Sequence, residues 1–331
     1  MAYSGGFELD PRERLSLLLA LLLVILTPVL LGQSILFTIV LSAGIYTVAA
    51  LAITLLMGYT GQASLGQGAF MAIGAYSTAI MTTRYGASPG EAMLVGIILC
   101  LISGLAVGYP LLKLKGFYFS AATLAFGILV QNVLTGWYDF TKGESGIPGI
   151  PMLSLGGVPF GRTAFFYLVW GIALVVLLLA NNLARSQVGR VLLAIRSDET
   201  AAETIGIDVG RWKMLIFLLS SVFTGISGSL LAHYLLFVSP SQFGVLLSVE
   251  LIIISMLGGV TNLFGAIWGA IIWRILPEVA SMSGQWQVLL TGLIVILLVI
   301  FLPHGISEIH FRSKTKSVSL GAGSEEIDLE N

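Results

Sequence analysis

The sequence predicts an all-α integral membrane protein, a polytopic helix bundle of about ten membrane-crossing or re-entrant segments. Three observations carry this expectation. Of the 331 residues, 56% are hydrophobic and only 10% charged, against about 25% charged in a soluble domain. Apolar runs recur along the chain, many of the ~20 residues that a helix needs to cross a hydrocarbon core of about 30 Å. Finally, 39 glycines sit in and between those runs, where glycine permits close helix contact and local unwinding. Mean hydropathy is +0.97, and the spans leave no room for a separate soluble domain. The net charge of -1 does not point to nucleic acid. Cys100 is the single cysteine, which excludes a disulfide framework and a zinc site. Its setting, ILCLIS, makes it a packing residue.

Residues 1–14 form a short polar N-terminal segment with Arg12 and Arg14, expected in the cytoplasm. The membrane-embedded body follows over 15–306, and 307–331 is a polar tail expected to be disordered. Residues 15–31 lack a small-residue cleavage site and read as an uncleaved first span. Further spans are expected at 35–57, 69–83, 92–112, 117–135, 163–180 and 214–238. A long apolar stretch, 245–273, is broken by GGVTNLFG at 258–265, and 288–302 is the last apolar run. Basic residues cluster at Arg12/Arg14, Lys113/Lys115, the stretch 185–213 and the tail. The positive-inside rule puts all four on the cytoplasmic side. Counting spans from the N-terminus satisfies this only if 245–273 folds into two helices at its glycines. Both termini are then cytoplasmic. The membrane is then crossed many times.

Two polar stretches interrupt the apolar blocks. Residues 58–68 alternate glycine with neutral polar side chains: Gly58, Thr60, Gly61, Gln62, Ser64, Gly66, Gln67 and Gly68. Loose backbone cannot face lipid, so this segment is either a polar interfacial turn or an unwound segment inside the bundle that a solute passes. Glycine also serves plain helix packing. Gly258 and Gly259 read in the same way, and the two breaks could be counterparts in an internally repeated bundle. Glu250 is an acid in a late apolar run, where an intramembrane acid is a functional candidate by default; an interfacial position is the other reading. His233 reads as a packed, hydrogen-bonded histidine. Gln131 and Asn132 face either a cavity or a neighbouring helix.

The longest polar interruption is 187–213, QVGRVLLAIRSDETAAETIGIDVGRWK. Ser197 or Asp198 can cap a short helix whose first turn is acidic. Ala201 and Ala202 keep it slim, and Gly206 suits the position just past its end. Such a helix serves equally as a solvated connector or as a docking knob. The chain has no GxxxxGK[ST] phosphate loop, no HExxH and no nucleophile–base pair. Any driving energy must come from a gradient or a partner.

Several stretches, in order, resemble the membrane permeases of ATP-binding-cassette importers for branched-chain amino acids, in particular the larger of their two permease subunits. They are GYTGQASLGQGAFMAIGAY (58–76), LKGFYFSAATLAFGILVQN (114–132), TKGESGIPGIP (141–151) and GRVLLAIRSDETAAETIGIDVGRWK (189–213). SPSQFGVLLSVELIIISMLGGVTNLFGAIWGA (239–270) and FLPHGI (301–306) complete the set. The resemblance implies a permease without catalysis of its own, set in a bacterial-type plasma membrane. It would pair with a second, unlike permease subunit and two cytoplasmic ATPases, and a periplasmic binding protein would deliver the solute. This chain would need no cofactor, since ATP and magnesium belong to the ATPases. Importer permeases carry an E-A-A-x-x-x-G pattern in the loop that seats in the ATPase. Here Thr200, Ala201, Ala202 and Gly206 fill the frame, with threonine where glutamate is expected and Glu199 one place early. Gly189, Arg190, Ala194 and Arg196 complete the expected ATPase-coupling set. Lys142, Gly143, Glu144 and Gly146 would lie outside, where a loaded binding protein docks. The breaks at 58–68 and 258–265 would line the pathway. Other readings remain: a sibling importer for urea, short amides or other amino acids, or an ion-coupled transporter.

Overall fold

The computed structural model describes residues 34–155 and 158–281, with scattered positions between 18 and 32 and between 289 and 296. The N-terminal segment, most of the first expected span, most of the run 288–302, and the tail lie outside the described residues. Among the described residues, five helices are long and apolar enough to cross a membrane.

Helix α1 (Ile35–Thr60) is the axis of the bundle. It is apolar on every face and buried almost throughout, as a helix enclosed by others must be. In chain order it is followed by α2 (Gln67–Arg84), α3 (Pro89–Leu111) and α4 (Phe117–Gly136). A short α5 (Tyr138–Thr141) opens a polar loop, and α6 (Arg162–Arg185) returns across the bundle. Two short helices, α7 (Gln187–Ser197) and α8 (Glu199–Thr204), lead into α9 (Val209–Leu235). Then come α10 (Val245–Gly258) and α11 (Gly265–Ser281). The loop at one end is tied down by two-residue strands. β1 (Ile147–Pro148) pairs antiparallel with β4 (Phe237–Val238), and β2 (Ser154–Leu155) with β3 (Val158–Pro159).

Small residues set how closely the helices approach. On α3, Ala92, Gly96, Cys100, Gly104 and Gly108 recur every fourth residue and are buried, so they form one face. Gly96 meets Ser77 and Ser229, Gly104 meets Ser221, and Gly108 meets Phe217. Cys100 packs against Gly225, the packing role its context implied. The α2–α9 crossing is closer still. A Cβ on Gly74 would lie 2.0 Å from the Gly225 carbonyl oxygen, and one on Gly228 would lie 1.9 Å from that of Met71. Without a hydrophobic drive between helices in lipid, such backbone proximity supplies the packing energy.

Several boundaries depart from expectation. Helix α9 begins at Val209, not 214, because the Asp208 carboxylate accepts the Arg211 N–H at 3.1 Å and caps it there. Helix α6 runs to Arg185, not 180, and the Arg185 Nε donates to Asn181 Oδ1 at 3.1 Å. The stretch 187–213 holds two helices where one was expected. Ser186 caps α7, and of the two offered caps it is Asp198 that starts α8, accepting from the N–H groups of Thr200 and Ala201.

Candidate functional site

The expected split of 245–273 is present. The chain leaves α10 at Gly258, turns through Gly259 at φ +101°, and re-enters helix at Gly265. A Cβ on Gly258 would lie 2.3 Å from the Gly265 carbonyl oxygen, and one on Gly269 would lie 2.3 Å from that of Ile254. Residues 258 and 265, and 254 and 269, therefore face each other, which makes α10 and α11 an antiparallel hairpin.

The first break is shorter than 58–68. Gly58 and Thr60 remain in α1, Gly61 ends the helix at φ +71°, and helix resumes at Gln67. Only 61–66 is non-helical. Its backbone groups are met by hydroxyls of α4. Leu65 N–H donates to Thr123 Oγ1 at 3.0 Å, and Ser120 Oγ donates to the Ala63 carbonyl at 2.6 Å. Ser64 Oγ accepts from Gly66 N–H at 3.3 Å. This meets the condition for non-helical backbone inside a bundle.

The depth at which α2 begins follows from Gln67. Its Nε2 donates to Ser220 Oγ at 2.9 Å, and its Oε1 accepts from Thr224 Oγ1 at 2.8 Å. Those residues lie 11 and 15 positions past Val209, the first residue of α9, or about 17 and 23 Å along it. Helix α2 thus starts near the middle of the bundle, and 61–66 climbs there from the end of α1. Helix α10 starts at the same level, because Gly68 N–H donates to Ser248 Oγ at 2.9 Å in its first turn. Both helices have glycine N-caps, Gly66 and Gly244, without side-chain caps. Two helix N-termini with positive dipole ends therefore converge mid-bundle. Gln131 of α4 borders the spot: a Cβ on Gly244 would meet its amide at 3.4 Å. Lower down, the breaks touch. A Cβ on Gly58 would lie 2.1 Å from the Val260 carbonyl oxygen. Gln62 is buried nearby; its Oε1 accepts from Thr60 at 3.4 Å, while its Nε2 has no partner among the described residues.

Loop 186–208 is latched to this assembly. The Arg196 guanidinium donates to the Gly58 carbonyl, and a Cβ on Gly61 would touch Arg196 Cγ at 3.4 Å. Glu199 pairs with the Lys213 ammonium, whose side chain is 3% exposed, and lies 3.8 Å from that of Lys115. Ala202 packs with Ile195 and Val209 in a small core of its own. Gly189 is required where α6 turns into α7, since a Cβ there would lie 1.8 Å from the Ala184 carbonyl oxygen. Gly206 adopts φ +85° just past α8. Arg190, Thr200 and Ala201 are exposed and Ala194 half-buried. Ile205 is also exposed, at 74%. Sequence reasoning did not single it out, although an isoleucine beside a glycine turn in a polar loop is the signal.

At the other end of the bundle, Lys142 and Glu144 are exposed while Gly143 and Gly146 are buried. The glycines shape the loop: Gly146 at φ +67° sits where a Cβ would lie 2.2 Å from the Val238 carbonyl oxygen. The nearby His233 is packed as expected, with Nδ1 2.9 Å from the Pro151 carbonyl. Sequence reasoning missed Arg274, in the middle of α11. Its Nε donates to Ser42 Oγ at 3.0 Å and its guanidinium lies 5.1 Å from the Tyr46 ring centre. Glu250 lies in the electrostatic field of this arginine. The cation in AIIWRILPEV was the available signal.

The family described as branched-chain amino acid transport system / permease component matches residues 35–302. The high-affinity branched-chain amino acid transport system permease protein LivM of Escherichia coli K12 is 32% identical over 79% of this chain and 67% of its own length. The fructose import permease protein FrcC of Rhizobium meliloti is 28% identical over 72% of this chain and 70% of its own. Among solved structures, PsaBC from Streptococcus pneumoniae in complex with Fab aligns with 86% of this chain and 96% of its own. That alignment is 14% identical, with a TM-score of only 0.41. Span-length apolar helices, helix breaks sealed inside the bundle and a match over most of the length agree: the chain belongs to the branched-chain amino acid transport system permease family, as a helical protein that crosses the membrane several times.

Proposed function

We propose that this chain is the translocating subunit of an ATP-driven importer for branched-chain amino acids, with no ATPase activity of its own. In this reading 186–208 faces the cytoplasm and seats in a partner ATPase, the loop around Lys142 and Glu144 faces a periplasmic binding protein, and a second permease subunit completes the pathway. The body spans about 15–306 and the tail is cytoplasmic. The observation that carries the proposal is the latch between Arg196 and the Gly58 carbonyl. It joins the loop that would take the push to the point where the two breaks meet. When the ATPases close, α7 and α8 move, and Arg196 and Glu199 carry that motion to α1, α9 and the hairpin tip. A differential contact of a few kcal/mol is enough to exchange the dominant state. The solute's carboxylate would be met by the N-termini of α2 and α10, and passing donors and acceptors by the neutral polars at Gln62, Ser64 and Gln67. The amino-acid choice is supported by the LivM likeness; the FrcC likeness supports a sugar instead. Arg274 and Glu250 supply an intramembrane cation and an intramembrane acid, groups that an ion-coupled transporter would use.

One experiment separates the three. The complete assembly is reconstituted in proteoliposomes with its binding protein, and uptake of labelled leucine and fructose is followed with ATP, with ADP, and with an imposed proton or sodium gradient. Leucine uptake that requires ATP is the expected result. Fructose uptake in its place overturns the substrate, and gradient-driven uptake without ATP overturns the mechanism.

A further inference from the structure

A cleft of about 650 Å³ lies between α3 and the first half of α9, at the end that carries loop 186–208. Its walls are apolar: Leu101 and Leu112 on one side, Leu215, Leu218 and Val222 on the other. Its mouth is charged, with Lys113, Arg211 and Asp208. Along α9 the cleft runs from Asp208 to Val222, 14 residues or about 21 Å. One leaflet's hydrocarbon is about 15 Å deep, half of a 30 Å core. The cleft is therefore long enough to take the full depth of one leaflet. An occupant must be apolar over that depth and polar at one end.

The charges at the mouth say which polar end. Arg211 Nε lies 2.7 Å from Asp208 Oδ2, a pair that cancels. Lys113 stands against the Tyr109 ring, its ammonium 4.7 Å from the ring centre, and among the described residues no carboxylate pairs with it. The three side chains sum to one positive charge. The N-terminus of α9 adds a positive dipole end at the same level. A phosphodiester carries the single negative charge that this mouth lacks.

We propose that this cleft holds one anionic phospholipid of the adjoining leaflet, its phosphate between Lys113 and Arg211 and an acyl chain along Leu215, Leu218 and Val222. The lipid then bridges α3 and α9 directly beside the start of α9, where Lys213 joins loop 186–208 to the bundle.

Native mass spectrometry of the intact assembly, titrated in detergent with phosphatidylglycerol or phosphatidylcholine, tests this. The wild type is expected to retain one phosphatidylglycerol in preference to phosphatidylcholine. Lys113→Gln should weaken phosphatidylglycerol about fivefold, the worth of one cation near a lipid surface, and leave phosphatidylcholine unchanged. Leu215→Trp, at a position already 39% exposed, should weaken both by filling the cleft. The proposal is overturned by equal retention of the two lipids in the wild type. An undiminished phosphatidylglycerol adduct in either variant overturns it as well. So does a protein subunit seated on the cleft, seen as protection of Lys113 from amine acylation in the lipid-stripped complex. None of these readouts uses transport, so they stand or fall apart from the importer assignment.

Discussion

The pairing of Glu199 with Lys213 makes an asymmetric prediction. Lys213 has 3% of its side chain exposed and Glu199 26%, while Lys115, on the far side of Glu199, is 66% exposed. Glu199→Gln leaves the Lys213 ammonium buried without a counter-charge. Stranding a buried partner costs about 3–5 kcal/mol; because Glu199 keeps some access to water, about 3 kcal/mol is the fitting value. The Lys115 arm is screened by solvent and adds less than about 1 kcal/mol. Lys213→Met removes the buried charge and keeps an apolar stem of similar length. Glu199 then still reaches Lys115 and water, so this substitution should cost about 1 kcal/mol or less. The double variant, Glu199→Gln with Lys213→Met, should resemble Lys213→Met alone, with a coupling energy of about 2–3 kcal/mol. Equilibrium unfolding of the four proteins in mixed micelles gives the cycle. Equal losses in the two single variants, or additive losses in the double, would refute the claim that burial of the ammonium, and not the ion pair as such, makes Glu199 indispensable.

Four further outcomes follow from the same geometry. Arg196→Ala removes a charge-assisted hydrogen bond to the Gly58 carbonyl, worth about 1.5–3 kcal/mol. The ratio of solute taken up to ATP hydrolysed should fall several-fold while assembly persists, and an unchanged ratio would remove Arg196 from the coupling path. Gly58→Ala pushes a Cβ into the Val260 carbonyl oxygen at 2.1 Å and should lower the yield of folded protein. Gly61→Ala costs about 1–2 kcal/mol of left-handed strain but meets only Arg196 Cγ at 3.4 Å; it should assemble and lose uptake, and normal uptake would take 61–66 off the pathway. Gln67→Leu strands the hydroxyls of Ser220 and Thr224. It should cost about 2 kcal/mol of stability, measured by the same unfolding assay.

Much of this was legible in the residues. The small-residue stripe of α3, the packing of Cys100 and the two glycine breaks follow from local pattern, because packing in lipid selects small side chains at fixed helical spacing. The Asp198 cap and the turn at Gly206 are local too, and the residue types suffice for them. Arg274 escaped notice because a cation in an apolar run announces a partner but not which one: Ser42 and Tyr46 lie more than 200 residues away in sequence. The burial of Lys213 was hidden for the same reason. A lysine at the end of a charged stretch reads as solvated until α9 is seen to start early and carry it inward.

By itself, the sequence determined that the chain lives in a bilayer, that its helices pack through glycine, and that the break at 258–265 must reverse the chain. These follow from transfer energies and backbone sterics, which act over a few residues. Only the tertiary structure decided that 61–66 climbs to mid-depth and that α2 and α10 start face to face there. It also decided that Arg196 holds the carbonyl where the breaks meet. Each of those contacts joins residues far apart in the chain, and local preference carries no information about which distant backbone arrives within reach of a hydrogen bond.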